Sequence, residues 1–344
     1  MKRFFALFIM IVAVFIGLTS FSSPTHAQQD DSPLIYDVRW SGQWIGAPST
    51  DGLWLFDTEN PDAEPLHFLA GHAIPTLAFD PIRPRMAAFD DTTSYLRILD
   101  LETGESIEDI YIETPAEDFF PVVYDIQYSD DGKLLVVTTG ARIHVFDAAS
   151  SSLRDSFYFP GAGSEASYLE WVASVDFGSE SGEIIAGNIN KYLLFFNIAS
   201  PDLEQTASVE TGVYRLEVIP NTEDILVLDQ AMRFYSGTEN TAALLDPKFE
   251  IGVYGFDLTN AGDLVAVGMD GTYILYSLTD QTIIQEVMTN NLGNERVFGL
   301  AFNDDGTQLV TLDTAGSITV WDVASGEALA HLGNFTRAVS YKWG

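Results

Sequence analysis

The chain has 344 residues, 47% of them hydrophobic and none of them cysteine, and it sets 50 acidic residues against 16 basic ones for a formal charge of −34. Without cysteine there are no disulfides, no thiolate nucleophiles and no zinc sites with Cys ligands, so stability rests on the apolar core. A negative field of this size repels phosphates, which excludes nucleic acid and anionic lipid surfaces as partners.

Residues 1–27 read as a segment apart from the fold. Lys2 and Arg3 precede the apolar run Phe4–Leu18, Pro24 ends it, and Thr25-His26-Ala27 places small residues where a signal peptidase cuts. This is the pattern of a secretory signal peptide, and it sends residues 28–344 out of the cytoplasm, to the periplasm or the medium. Cleavage leaves no stable membrane insertion. An uncleaved run, nearly long enough to span a bilayer, would tether the protein instead.

From residue 28 onward the pattern is strand-like and repeated. An apolar outline recurs at Ile35–Trp40, Ile74–Phe79, Val123–Tyr128, Val172–Phe177, Val213–Val218, Val253–Leu258 and Val297–Phe302. A second landmark keeps step with it, an apolar or aromatic residue followed by a small polar one: Phe56-Asp57, Leu99-Asp100, Phe146-Asp147, Phe196-Asn197, Tyr235-Ser236, Tyr276-Ser277 and Trp321-Asp322. Asp-Gly and Ser-Gly turn signals separate strand-length runs, most plainly between Val297 and Leu332. The units start near 35, 74, 123, 172, 213, 253 and 297. Several strands per period of 40 to 50 residues predict an all-β chain: a seven-bladed β-propeller over 28–344, each blade a four-stranded antiparallel sheet. After the seventh unit, residues 336–343 form an extra apolar run ending in Tyr341 and Trp343. It is expected to close the ring against the first blade near Leu34–Trp40.

The last unit also carries a family likeness. Asn303-Asp304-Asp305-Gly306 followed by Ile318-Thr319-Val320-Trp321-Asp322, repeated as Ser129-Asp130-Asp131-Gly132 and Ile143-His144-Val145-Phe146-Asp147, resembles the WD-repeat propeller family and its YVTN-like relatives, as does Gly71-His72 before the second unit. The resemblance covers residues 33–344 and implies an exported bacterial member acting as a scaffold. The chain departs from the family pattern at Ala315, where a buried Asp is usual, and at Leu99, where Trp is usual. The polar tetrad that stiffens family blades is therefore not expected in the unit of His72.

Candidate sites follow from the propeller plan, in which loops and channel mouths carry function. Two long inter-blade loops hold Phe119 and Phe120, and Tyr168 and Trp171. The second position of the inner-strand outline is aromatic in five units, Tyr36, Tyr124, Tyr214, Tyr254 and Phe298, and would ring the channel entrance. These nine residues are the expected partner-binding set. His67, His72, His144 and His331 lie in separate units with no metal-ligand spacing, and no nucleophile elbow, phosphate loop or calcium loop is present. No catalytic, metal or cofactor residues are assigned. The expectation is a monomeric, non-catalytic scaffold that binds a protein or peptide. The alternatives are an exported hydrolase or lactonase using Asp37, Asp125, Asp176, Glu217 and Asp257, and a carbohydrate-binding module using the aromatic ring.

Overall fold

In the computed structural model the described residues are 33–112, 123–140, 142–158, 172–179, 182–209, 212–239, 241–289, 295–335 and 337–339. The described residues all belong to one compact unit. It contains seven sheets, six of them four-stranded, antiparallel and built from strands consecutive in the chain, and a first one that is joined by a strand from the C-terminal end. The innermost strand of every blade packs against that of the next, and the seventh returns to the first, so the sheets close into a ring. The protein is a seven-bladed β-propeller.

The two sequence landmarks have physical causes. The polar residue after each third strand holds the turn into the fourth. Asp57 accepts from Glu59 N, Asp100 from Glu102 N and Thr103 N, Asp147 from Ala149 N and Ser150 N, and Asp322 from Ser325 N. Asn197, Ser236 and Ser277 do the same in their blades. The apolar partner before it fills the seams. Seven apolar clusters occur among the described residues, one at each seam, joining each blade to the next and blade 7 to blade 1. Second strands such as Leu134–Thr139 are buried along their whole length because both sheet faces are covered. Outer strands such as Ser106–Tyr111 are exposed and carry charge, which discourages edge pairing.

The inner strands differ from expectation at their starts. Where a run from Ile35 to Trp40 was expected, Leu34–Ile35 and Arg39–Ser41 pair separately with Trp44–Ser49. The other shortened strands are Leu77–Phe79, Arg215–Val218 and Gly255–Leu258. A β-bulge recurs at the second position of the outline. Register shifts fall between Val123 and Asp125, Val172 and Ser174, and Val297 and Gly299. In blade 5 Tyr214 N donates to the carbonyl of Leu228, which also pairs with Arg215, and Tyr254 and Gly255 share Gly268 in the same way. Blade 2 has Pro75 there, which has no N–H to give.

Closure uses both ends of the unit. Arg337–Ala338 pairs in parallel with Leu34–Ile35, Val339 N donates to Ile35 O, and Phe335 packs edge-on to Trp54 and Phe56. The N-terminal chain supplies five of the six strands of blade 1, its inner position being split between Leu34–Ile35 and Arg39–Ser41, and Arg337–Ala338 is added on the inner side. Tyr341 and Trp343 lie outside the described residues.

The unit of His72 is also braced, contrary to the expectation drawn from Leu99. His72 Nδ1 meets Asp90 Oδ2 at 2.9 Å, and the same carboxylate accepts from Thr93 Oγ1 at 2.5 Å and Arg97 Nη2 at 3.0 Å. These bonds outweigh the burial of Asp90 and hold its carboxyl below the usual range. In blade 7 Trp321 Nε1 donates to Thr311 Oγ1 at 2.9 Å, and Asp313 holds the turn in place of Ala315, accepting from Ala315 N and Ser317 N.

Candidate functional site

Antiparallel strands put the start of each inner strand, the end of the second, the start of the third and the end of the fourth on one face of the ring. The bulges sit there. A bulge adds one residue against the partner strand and re-aims its side chain, so the aromatic at the second position is turned out of the alternation that buries Val123 and Ile126. Tyr36, Tyr124, Tyr214 and Tyr254 are half-buried on the face where the inner strands begin, Tyr254 against the apolar cluster between blades 7 and 1. Phe298 is only 7% exposed and belongs to the apolar seam between blades 7 and 1. Phe119, Phe120, Tyr168 and Trp171 fall outside the described residues.

The tyrosines sit among charges of the same face. Burial and the nearby Asp91 carboxylate raise the Tyr36 phenol. Burial pushes Tyr124 up to about 12. Burial and Asp270 raise Tyr254, and the Arg296 guanidinium lies 4.8 Å from the centre of its ring. Tyr95 and Tyr111 stack edge-on across strands at the rim of blade 2, and Ile251 and Met288 are exposed on the rim of blades 5 and 6.

Further down the channel, the inner strands bring together residues that are up to 220 positions apart in sequence. Arg215 Nη2 lies 2.6 Å from Glu217 Oε1 and 3.0 Å from Asp257 Oδ1. Arg39 lies 3.2 Å from Asp37 and 3.9 Å from Asp125. The carboxylates also bind the neighbouring blade. Asp125 Oδ2 accepts from Val175 N and Ser174 Oγ, Asp176 Oδ2 from Val218 N at 2.8 Å, and Asp257 Oδ2 from Phe302 N at 2.7 Å. Glu217 takes the main-chain N–H of Leu258. Each acid from blade 3 to blade 6 therefore ties its inner strand to the next one round the ring.

Five carboxylates face two guanidinium groups here, and the imbalance sets their titration. Burial, with Glu217 and Asp130 adding repulsion, raises Asp176 to about 7. Burial and the charge of Glu217 raise Asp257 to about 8, and burial raises Glu217 against the pull of Arg215. The sequence already set these five acids on the inner strands, Asp37 and Asp125 at the third position of the outline and Asp176, Glu217 and Asp257 at the fifth; what it left unread is their pairing with the two guanidinium groups. The signal that could have found it is that those two positions are the channel-facing ones, and that Arg39 and Arg215 fall on them too.

The histidines have local partners in separate blades. His67 stacks on Trp54 at 3.9 Å, His144 meets Ser156 at 3.3 Å, and His331 meets Thr319 at 3.0 Å. Burial and Arg142 hold His144 near 4, so it is neutral at pH 7. Among the described residues no three His, Asp or Glu side chains are grouped to hold a metal ion, and no helix is long and apolar enough to cross a membrane.

No protein-family model matches the chain, and comparison with the curated proteins finds no match. What defines its class is the fold itself, a seven-bladed propeller with an aromatic channel mouth above an ion-paired channel.

Proposed function

We propose that this propeller is a non-catalytic binding module that acts outside the cytoplasm as a monomer and takes a segment of a protein partner on the face of the bulged tyrosines. The observation that carries this reading is the repeated bulge, which displays Tyr36, Tyr124, Tyr214 and Tyr254 around one channel mouth. Tyrosine supplies a large contact area and a hydrogen-bonding tip at small entropic cost, and it is enriched where interfaces concentrate their energy. Phe119, Phe120, Tyr168 and Trp171, which lie outside the described residues, stay in the candidate set on the sequence pattern alone. The WD-repeat resemblance favours a scaffold role for the same reason.

A second reading has one observation in its favour. Asp176, Glu217 and Asp257 converge with their pKa values raised, which is a pattern seen in acid–base sites. Against it, every one of these carboxylates already accepts a main-chain hydrogen bond across a seam, as a brace would.

The test is selection of peptides from a displayed random library against the protein, followed by affinity measurement on variants. The binding reading expects selected peptides that lose at least about tenfold in affinity, roughly 1.4 kcal/mol, in Tyr124→Ala and in Tyr214→Ala. The same peptides should keep their affinity in Ile82→Ala, on the opposite face. Peptides indifferent to all the tyrosines would refute it.

A further inference from the structure

The connection that carries blade 5 into blade 6 divides its apolar residues between inside and outside. Asp246 caps a short 3-10 turn, Pro247–Phe249, by accepting from Lys248 N at 2.8 Å. Phe249 is fully buried in the seam between blades 5 and 6 and meets the Tyr276 ring edge-on, and Tyr276 Oη donates to the Leu245 carbonyl. Two residues on, Ile251 is 76% exposed, more than any other large apolar side chain among the described residues.

The connection is tied down on both sides of Ile251. Lys248 Nζ lies 2.5 Å from Glu286 Oε2 on the outer strand Thr282–Met288. On the other side, a Cβ on Gly252 would stand 3.9 Å from Met269 Cε. Met288 ends that outer strand at 64% exposure, two residues beyond Glu286 and so on the same face of the sheet. Ile251 and Met288 therefore flank the top of one seam, on the tyrosine face. Single exposed apolar residues are ordinary on a surface. Here the two most exposed large apolar side chains described on this face share one corner, and a rigid frame holds them out. Around them Asp246, Glu250, Asp270, Glu286 and Glu295 outnumber Lys248 and Arg296.

We infer that this corner of blade 6 anchors the partner's segment, and that the segment is basic. A large apolar side chain rests on Ile251 and Met288, and lysine or arginine beside it meets the exposed carboxylates of Glu250 and Asp270. The inference rests on the tyrosine-face reading and gives its partner a chemistry. Charge complementarity selects the occupant, because a chain of −34 with a local excess of acids repels an acidic segment. A pre-ordered apolar display spares the interface an ordering cost, and methionine adapts to the shape that it meets.

The experiment measures the affinity of peptides selected on the full chain for variants of this corner and at two salt concentrations. The peptides are expected to carry net positive charge and to lose about tenfold in affinity in Ile251→Ser and in Met288→Ser. Glu250→Gln should weaken them about threefold, and raising NaCl from about 0.05 to about 0.5 M about tenfold. Leu329→Ser, on the outer strand of blade 7, should change nothing. Peptides that depend on Tyr124 and Tyr214 but bind both corner variants at full strength overturn the anchor and leave the tyrosine reading standing. Peptides that need Ile251 but no tyrosine overturn the tyrosine reading and leave the anchor. Acidic peptides, or an affinity equal in both salts, overturn the basic class of partner. A library that yields no binder overturns both readings.

Discussion

Replacing Asp176 by Asn removes one titrating group from the channel without removing its bulk, and the structure fixes how the effect must vary with pH. Burial raises the Asp176 carboxyl from 3.8 to about 7. A carboxyl raised on folding binds its proton more tightly in the folded state. Its stabilising contribution is complete below the unfolded value and is lost as pH rises through the folded one. At 1.36 kcal/mol per unit, the loss between pH 5 and pH 8 is about 2.5 kcal/mol. His144 works the other way, because burial lowers it from 6.5 to about 4. Its contribution is present above 6.5 and falls by about 2 kcal/mol as pH drops from 8 to 5. In the wild-type protein Asp257, raised to about 8, adds to the effect of Asp176 while His144 opposes it, so the wild-type profile is a sum over several groups. The difference between wild type and Asp176→Asn isolates the carboxyl. Urea denaturation at pH 5, 6, 7 and 8 should show wild type losing about 2.5 kcal/mol relative to the variant across that range. A difference that stays constant with pH, or that grows in favour of wild type as pH rises, would refute the claim that the channel holds this acid in its protonated form.

Other perturbations follow from the same contacts. Asp90→Ala leaves the guanidinium of Arg97, 15% exposed, without its buried partner and releases His72, so a loss of about 3 kcal/mol or more is expected in urea titration. Truncation after Asn334 removes Phe335 from Trp54 and Phe56 and deletes the Arg337–Ala338 pairing, which should cost at least about 3 kcal/mol and lower the thermal midpoint measurably. Substitution of Trp321 by Phe leaves Thr311 without its indole donor, for an expected loss of about 1 kcal/mol in the same assay.

The repeat was legible because two of its causes are local. The turn-holding residues Asp100, Asp147 and Asp322 act on main-chain groups two or three positions on, and the inner-strand outline reflects burial in a seam. Ring closure and blade number follow from counting these landmarks. The bulges were not legible, since a bulge is a register relation between two strands and Tyr124 looks the same in a regular strand. Their consequence was nevertheless visible as aromatics at one repeated position. The Asp90–Arg97 brace was missed because it substitutes a different residue type in a known arrangement. The five channel acids were legible as inner-strand carboxylates, but their pairing with Arg39 and Arg215 was not, for a geometric reason: Asp37, Arg215 and Asp257 meet only once seven blades have turned through a full circle.

The account's central claim is that the bulged-tyrosine face is the one that meets a partner, and amide hydrogen exchange tests it most directly. The measurement is exchange on the full chain with and without a selected peptide at saturating concentration. The account predicts protection at the starts of the inner strands, at 123–125, 213–215 and 253–255, with the turns at 129–133 and 303–307 unchanged. Protection confined to those turns, or spread evenly over both faces, would contradict it.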